Sequence, residues 1–254
     1  MNQNNCQSFM NEDIFSRAEA LLGDATMQRV KNAKVLIFGV GGVGSWCAEG
    51  LVRSGISNLT IVDFDVVAPS NINRQLMAIP SVVGEPKVEE MRKRLLQINP
   101  NAEIVALNAR FDADFTKLYP NLSLDKFDYV VDAIDSLDDK IQLILQATSI
   151  PTLKFFSSMG AAMKFDPTKV DTAEFWKVKG CPLARSLRNK MKRNKLFPKS
   201  KFICVYSDEQ VNKPNISKSG SDNAVGTSKG SIVQVTAVFG FTLCSMIIND
   251  LHNK

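Results

Sequence analysis

The sequence predicts an α/β protein with a doubly wound, mostly parallel sheet, and three observations carry that prediction. Apolar strand-like runs alternate with amphipathic helical stretches from Lys34 to Phe156. A glycine cluster closes the first run and opens a helix. Carboxylates stand at the ends of two of the runs, where sheets of this kind bind ligands.

Taken in order, Lys34 to Gly39 (KVLIFG) reads as a strand, the glycines as a turn, and Ser45 to Ser54 as a helix. A second strand covers Leu59 to Asp63, and a polar loop runs to about Val83. Pro86 suits the first turn of the next helix, whose Val88, Met91, Leu95 and Ile98 share one face before Asn99-Pro100 ends it. Strands at Glu103 to Leu107 and Tyr129 to Ala133, a helix from Leu137 to Thr148 and a strand at Pro151 to Phe156 continue the alternation. Beyond Gly160 the alternation fails, and Pro167, Gly180, Pro182, Pro198 and Pro214 punctuate a basic, loop-rich C-terminal insertion. A strand at Phe202 to Tyr206 and a final apolar helix, Ser231 to Leu251, follow. That last stretch carries Gln234, Asn249 and Asp250, which favours a core helix over a membrane span.

With 254 residues, 44% of them hydrophobic, the chain can bury the core of one large domain. The expected organisation is a disordered polar tail over 1–12 and one nucleotide-binding domain over 13–254, with the basic insertion at about 160–230. No signal peptide is read in the Asn/Gln-rich start. Five scattered cysteines without a CxxC pair argue against disulfides and a cysteine zinc site, and fit a cytoplasmic protein. His252 is the single histidine, so catalysis through an imidazole base is excluded.

Charge is unevenly placed. Phe175 to Ser207 holds ten Lys/Arg and no Asp or Glu, leaving 21 basic against 26 acidic residues elsewhere, a balance of −5. Such a stretch reads as a footprint for a nucleic acid, with a solvated or dimer-contacting face as the alternative. Arg185, Arg188, Lys190, Lys192 and Arg193 are the candidate group. Trp176 and Phe197 are candidates for base stacking, with a core or subunit-interface place as the alternative.

Gly39, Gly41 and Gly44, with Gly42 between them, form GxGxxG after a strand and before a helix, and Asp63 ends the next strand nineteen residues on. The glycines permit close backbone approach to phosphate, the helix N-terminus offers N–H groups, and the carboxylate suits ribose hydroxyls. This Rossmann-like arrangement alone leaves an NAD-dependent oxidoreductase open.

The segments after it discriminate. DFDVVAPSNINRQ (Asp63 to Gln75), VGEPKVEEMRKRLLQINP (Val83 to Pro100) and YVVDAIDSLDDK (Tyr129 to Lys140) together resemble the ubiquitin-activating, ThiF and MoeB superfamily of adenylating enzymes. The resemblance implies ATP and Mg²⁺, and allows a monovalent cation. It implies that Arg74 and Lys87 bind the ATP phosphates, that Asp65, Asn71 and Gln75 border the same pocket, and that Asp135 handles magnesium, with Ser136 replacing the family's usual Asn. Asp132 is read as structural, and Asp138 and Asp139 as first-turn helix acids. FSRAEALLG (Phe15 to Gly23) is similar to the segment whose arginine, here Arg17, reaches a neighbouring subunit's ATP, which implies a homodimer.

Lacking two CxxC pairs, and having the FSR start, GGVGSW, a C-terminal GSI and the basic insertion, the chain looks like the tRNA threonylcarbamoyladenosine dehydratase branch. That implies ATP-dependent ring closure of the modified adenosine in the anticodon loop, with tRNA as partner and neither DNA nor membrane. It leaves open a cysteine-desulfurase or sulfur-acceptor partner. Some relatives carry a cysteine in the glycine-rich stretch Ser219 to Ser231, expected to be a mobile loop near the substrate, where this chain is near Val225. Cys181 and Cys204 remain candidate thiols whose ordinary reading is inert. The rivals are adenylation of the C-terminus of a ubiquitin-like or sulfur-carrier protein, and a non-enzymic RNA-binding scaffold.

Overall fold

The computed structural model describes residues 14–210 and 230–254. The expected tail over 1–12 and most of the predicted loop, 219–229, lie outside the described residues. In chain order the elements are α1 (Ser16–Leu22), α2 (Asp24–Asn32), β1 (Lys34–Phe38), α3 (Gly44–Arg53), β2 (Asn58–Asp63), α4 (Lys87–Ile98) and β3 (Glu103–Asn108). Then follow α5 (Phe115–Leu118), β4 (Tyr129–Asp132), α6 (Leu137–Ala147), β5 (Lys154–Ser158), β6 (Val170–Glu174), α7 (Pro182–Arg193), β7 (Ile203–Ser207) and α8 (Val233–His252).

The strands form one seven-stranded sheet in the order β3-β2-β1-β4-β5-β7-β6, parallel except for β6, which pairs antiparallel with β7. Both faces are covered. Val35 and Ile37 of β1 point into one core with α2, α3, α4 and α8, while Leu36 and Phe38 point into a second core with α5, α6 and α7. That two-sided burial explains why the strands read as continuous apolar runs. Each fully buried large apolar side chain contributes about 1.5–3 kcal/mol.

The apolar helix α8 is the described helix with the length and hydropathy of a membrane span. It lies against α3 and buries Val235, Phe239, Leu243 and Ile247 in the first core.

The sequence reading needs correction in the basic insertion, which is less loop-like than expected. Residues 170–174 make an edge strand, and residues 182–193 make a helix that buries Ala184, Leu187 and Met191. Pro182 sits in the first turn of α7, where its missing N–H costs no hydrogen bond, so this proline starts structure where it was read as breaking it.

Candidate functional site

A cavity of about 730 Å³ opens beyond the C-terminal ends of β1 to β5, with its lining drawn from the segment after each strand. Its place spans the switch between β1 and β4, where the sheet order reverses direction.

The glycine loop forms one wall. Gly39 has φ +87°, and a Cβ there would sit 2.7 Å from the Ala133 carbonyl oxygen. A Cβ on Gly44 would fall 1.8 Å from the Gly39 oxygen, so the tight turn into α3 admits no side chain at either position. Gly41 and Gly42 line the cavity itself, while Gly44 lies just behind them. Asp63 braces this loop: one carboxylate oxygen accepts from the Val40 N–H at 2.7 Å and the other from the Asp65 N–H at 2.9 Å. Burial raises the Asp63 pKa above its ordinary value. The carboxylate therefore orients the turn as well as facing the cavity.

Asn71, Arg74 and Gln75 come from the polar loop after β2. Ala68 N–H donates to Asn71 Oδ1 at 3.0 Å, and Arg74 Nη1 donates to the Ser70 carbonyl at 2.7 Å and to Asn73 Oδ1 at 3.0 Å. Two residues of GGVGSW fasten this loop to the glycine turn. Trp46 Nε1 donates to the Arg74 carbonyl at 3.0 Å, while Ser45 Oγ donates to the Gly41 carbonyl at 2.6 Å and accepts from Leu76 N–H at 3.3 Å. Gln75 Oε1 is buried without a hydrogen-bond partner among the described residues, and Gln75 lines the cavity. A buried acceptor in that condition fits a donor brought by a ligand, such as a sugar hydroxyl.

Lys87 opens α4 and is buried, its ammonium donating to Asp65 Oδ2 at 2.6 Å. Across the cavity, Asp135 is exposed on the turn after β4. Beneath it lies a dry network. Asp132 and Lys140 are both fully buried, with Nζ 2.8 Å from Oδ2; Ser157 Oγ donates to the same oxygen at 2.6 Å, and Lys140 also donates to the Ile134 carbonyl at 2.9 Å. The turn bearing Asp135 is thus pinned from below.

The structure brings together Gly39, Gly41, Gly42, Asp63, Asp65, Asn71, Arg74, Gln75, Lys87 and Asp135 at one cavity. Arg17 is not among its lining; it is exposed on α1. Of the basic group, Arg185, Lys192 and Arg193 are exposed, whereas Arg188 donates to the Phe175 carbonyl at 2.9 Å and Lys190 pairs with Asp138.

Sequence reasoning missed Arg110 and the role of Asp139. Arg110 holds Asp139 through two hydrogen bonds, at 2.9 and 3.2 Å, with its guanidinium 5.7 Å from the Phe64 ring centroid, and all three residues line the cavity. Its position just past β3 was the available signal. Lys140 was missed too, although it falls on the apolar stripe of α6 with Leu137, Ile141 and Ile144.

The described cysteines are all buried. Burial pushes the thiols of Cys47 and Cys204 up, and that of Cys244 up to about 12, which keeps them protonated and unreactive. Cys181 Sγ accepts from Gly160 N–H at 3.4 Å beside the cavity wall. The place near Val225 lies outside the described residues, but Ser231, at the end of the same stretch, lines the cavity.

In chemical terms the site offers three cations, Arg74, Lys87 and Arg110, a glycine loop at a helix N-terminus and the exposed carboxylates of Asp65 and Asp135. No group of three potential metal-binding side chains occurs among the described residues. A magnesium ion here would fit one carboxylate plus phosphate oxygens of a bound nucleotide.

Comparison with known proteins bears on this geometry. A model described as ThiF family matches residues 15–253. The chain is 38% identical to the tRNA threonylcarbamoyladenosine dehydratase of Bacillus subtilis, covering 93% of this chain and 94% of the relative. It superposes with a TM-score of 0.81 on the Escherichia coli tRNA N6-threonylcarbamoyladenosine dehydratase crystallised with ATP, at 31% identity and 93% of each chain. Identity to the molybdopterin-synthase adenylyltransferase of Salmonella typhimurium is 39%, but over 46% of this chain and 45% of that relative.

Proposed function

This chain belongs to the ThiF family, and from that membership we propose that it is an ATP-dependent tRNA threonylcarbamoyladenosine dehydratase. The observation that carries the reading is the convergence of Arg74, Lys87 and Asp135 with the glycine loop on one cavity. Dehydrogenation would leave those two cations without a task; activating a carboxylate with a triphosphate uses both.

In this reading the glycine turn and the start of α3 hold phosphate, with Arg74 and Lys87 neutralising the charge that builds on it. Lys87 exchanges its Asp65 partner for phosphate oxygen. Asp63 and Gln75 receive the ribose, and Asp135 holds Mg²⁺, which offsets repulsion between the nucleotide and the substrate carboxylate. The threonylcarbamoyl carboxylate, once activated, is attacked from within the same nucleoside. Ring closure then removes one water overall, its elements taken up in ATP cleavage. Intramolecular attack needs orientation, not an enzymic nucleophile, which suits a chain with one histidine and with buried thiols among its described residues.

Arg17 belongs to a neighbouring subunit's site in this proposal. Its place on an exposed helix that also presents Leu21, 81% exposed, supports a homodimer contact there. A tRNA substrate supports the proposed cytoplasmic location. The described thiols are all buried, so a desulfurase partner would find no accessible sulfur acceptor among them.

The test is mass spectrometry of nucleosides from tRNA carrying threonylcarbamoyladenosine, after incubation with protein, ATP and Mg²⁺. The expected outcome is an ATP-dependent loss of one water from that nucleoside, abolished by chelating Mg²⁺; repeating it without K⁺ reads the monovalent-cation expectation. An unchanged nucleoside with ATP intact would overturn the reading in favour of a carrier-protein C-terminus as substrate.

A further inference from the structure

A second groove, of about 250 Å³, shares no lining residue with the nucleotide cavity and is lined by Glu174, Trp176, Lys199 and Lys201 among others. Its position follows from the sheet. Strand β6 runs antiparallel to β7 and pairs Glu174 with Ile203, the first residue of β7, so the chain leaving β6 emerges at the end of the sheet opposite the cavity. Helix α7 connects the two ends. It starts beside the cavity with Leu183 and runs twelve residues, about 18 Å at 1.5 Å per residue, to Arg193.

Trp176 is firmly mounted there. Its backbone N–H donates to the Glu174 carboxylate at 3.1 Å, and its ring meets, edge-on, that of Phe175, which is itself buried and stacked on Phe202 at 5.0 Å. Arg188 secures the same turn through the Phe175 carbonyl. Yet Trp176 is 38% exposed and its neighbour Phe197, at 6.2 Å between ring centroids, is 52% exposed. Lys192 stands over the Trp176 ring at 5.7 Å. Two exposed aromatic rings on a rigid mount, flanked by Lys192, Lys199 and Lys201, with the one adjoining carboxylate of the groove, Glu174, taken up by the Trp176 backbone N–H, match what an unpaired nucleotide requires: a face for the base and cations for its phosphates.

We propose that Trp176, Phe197 and Lys192, with Lys199 and Lys201 at the adjoining groove, form a stacking platform for an unpaired base of the same tRNA whose modified adenosine enters the nucleotide cavity. The inference rests on the tRNA reading and narrows it. RNA recognition is assigned to the far end of α7 and the turn after it, because Arg188 and Lys190 are occupied within the protein. The spacing of about one twelve-residue helix lets one folded RNA touch both places.

Kinetics and fluorescence test it together. The chain has two tryptophans, and Trp46 sits beside the nucleotide cavity, so tRNA is expected to quench wild-type emission more than that of the Trp176→Phe variant, the difference being the part carried by Trp176. Trp176→Ala should raise the tRNA KM about tenfold or more, the loss of one base stack, with kcat and the ATP KM unchanged. Trp176→Phe should keep a near-normal tRNA KM, since stacking survives. Lys199→Gln with Lys201→Gln should lower the slope of log affinity against log salt by about two. A wild-type tRNA KM in Trp176→Ala would overturn the platform, as would equal quenching by a blunt RNA duplex, which offers backbone without free bases. Separating the two readings is straightforward. If RNA quenches Trp176 and Trp176→Ala weakens RNA binding while the nucleoside stays intact, the platform stands and the dehydratase reading falls; dehydration with an unchanged tRNA KM gives the reverse.

Discussion

Lys140 has no contact with water, and neither has the Asp132 carboxylate that pairs with it. Two charges taken out of water stabilise a fold only weakly as a pair, but each is costly without the other. Lys140→Met should therefore lower unfolding free energy by about 3–5 kcal/mol, and adding Asp132→Asn should restore most of it, a coupling readable from urea denaturation of the single and double variants. Equal losses that simply add would refute the pairing. The pinned turn carries Asp135, whose replacement acts differently: Asp135→Ala or Arg74→Ala should leave the urea midpoint in place while turnover falls by on the order of a hundredfold or more. Such residues differ in how they announce themselves in sequence. Asp135 and Arg74 stand in motifs with polar neighbours. Lys140 looks like a surface lysine in a charged first turn, and only its alignment with Leu137, Ile141 and Ile144 marks it as inward-facing. Arg110 is exposed, and nothing in its own neighbours pointed to the Asp139 partner 29 positions away.

Between elements, the crossing of α3 with α8 determines how the glycine loop is held. A Cβ on Gly240 would lie 2.5 Å from the Val43 oxygen and 2.7 Å from Trp46 Cβ, so Gly240→Ala must push α8 away from the loop that lines the cavity. Overpacking of this kind should cost about 1–3 kcal/mol and raise the ATP KM, measured by thermal unfolding and steady-state kinetics. A second tie joins α3 to α4: Glu49 accepts from Arg94 at 2.6 Å and from Arg53 at 2.9 Å. Burial works to raise the Glu49 pKa, but these hydrogen bonds outweigh it and hold the group below its ordinary 4.5. A carboxyl depressed in the fold stabilises above its ordinary value and loses that contribution as pH falls through the lowered one. Glu49→Gln should accordingly reduce stability at neutral pH and flatten the acid limb of the stability curve below about pH 4.5. The parallel strands were legible because burial on both faces leaves continuous apolar runs. Helix α7 was not, since its buried Ala184, Leu187 and Met191 are widely spaced among cations and it opens on a proline; charge masked the period. Strand β6 carries Asp171, Thr172 and Glu174 on the sheet edge, a composition that reads as loop.

At the scale of the whole molecule, one chain gathers most of the residues that the family resemblance assigns to the nucleotide site at one cavity, but not all of them. Arg17 lies on exposed α1, outside the lining, so the proposed catalytic role for it would require a second copy. A shared site has a consequence that no single-chain defect reproduces. Arg17→Ala and Asp135→Ala should each be inactive alone, since one lacks the donated arginine and the other the resident carboxylate. When the two are mixed and exchange subunits, half the dimers are mixed, and each mixed dimer holds one intact site and one doubly defective site. Activity should recover to about a quarter of wild type at equal proportions, and should fall when either variant is in excess. Isotope-labelled subunits followed by native mass spectrometry establish that exchange has occurred. Mixed dimers without activity would show that Arg17 serves its own subunit or none, and full activity of Arg17→Ala alone would remove it from the site. Recovery near a quarter would make the dimer the catalytic unit and identify α1, with its exposed Leu21, as the element that one subunit lends to the other.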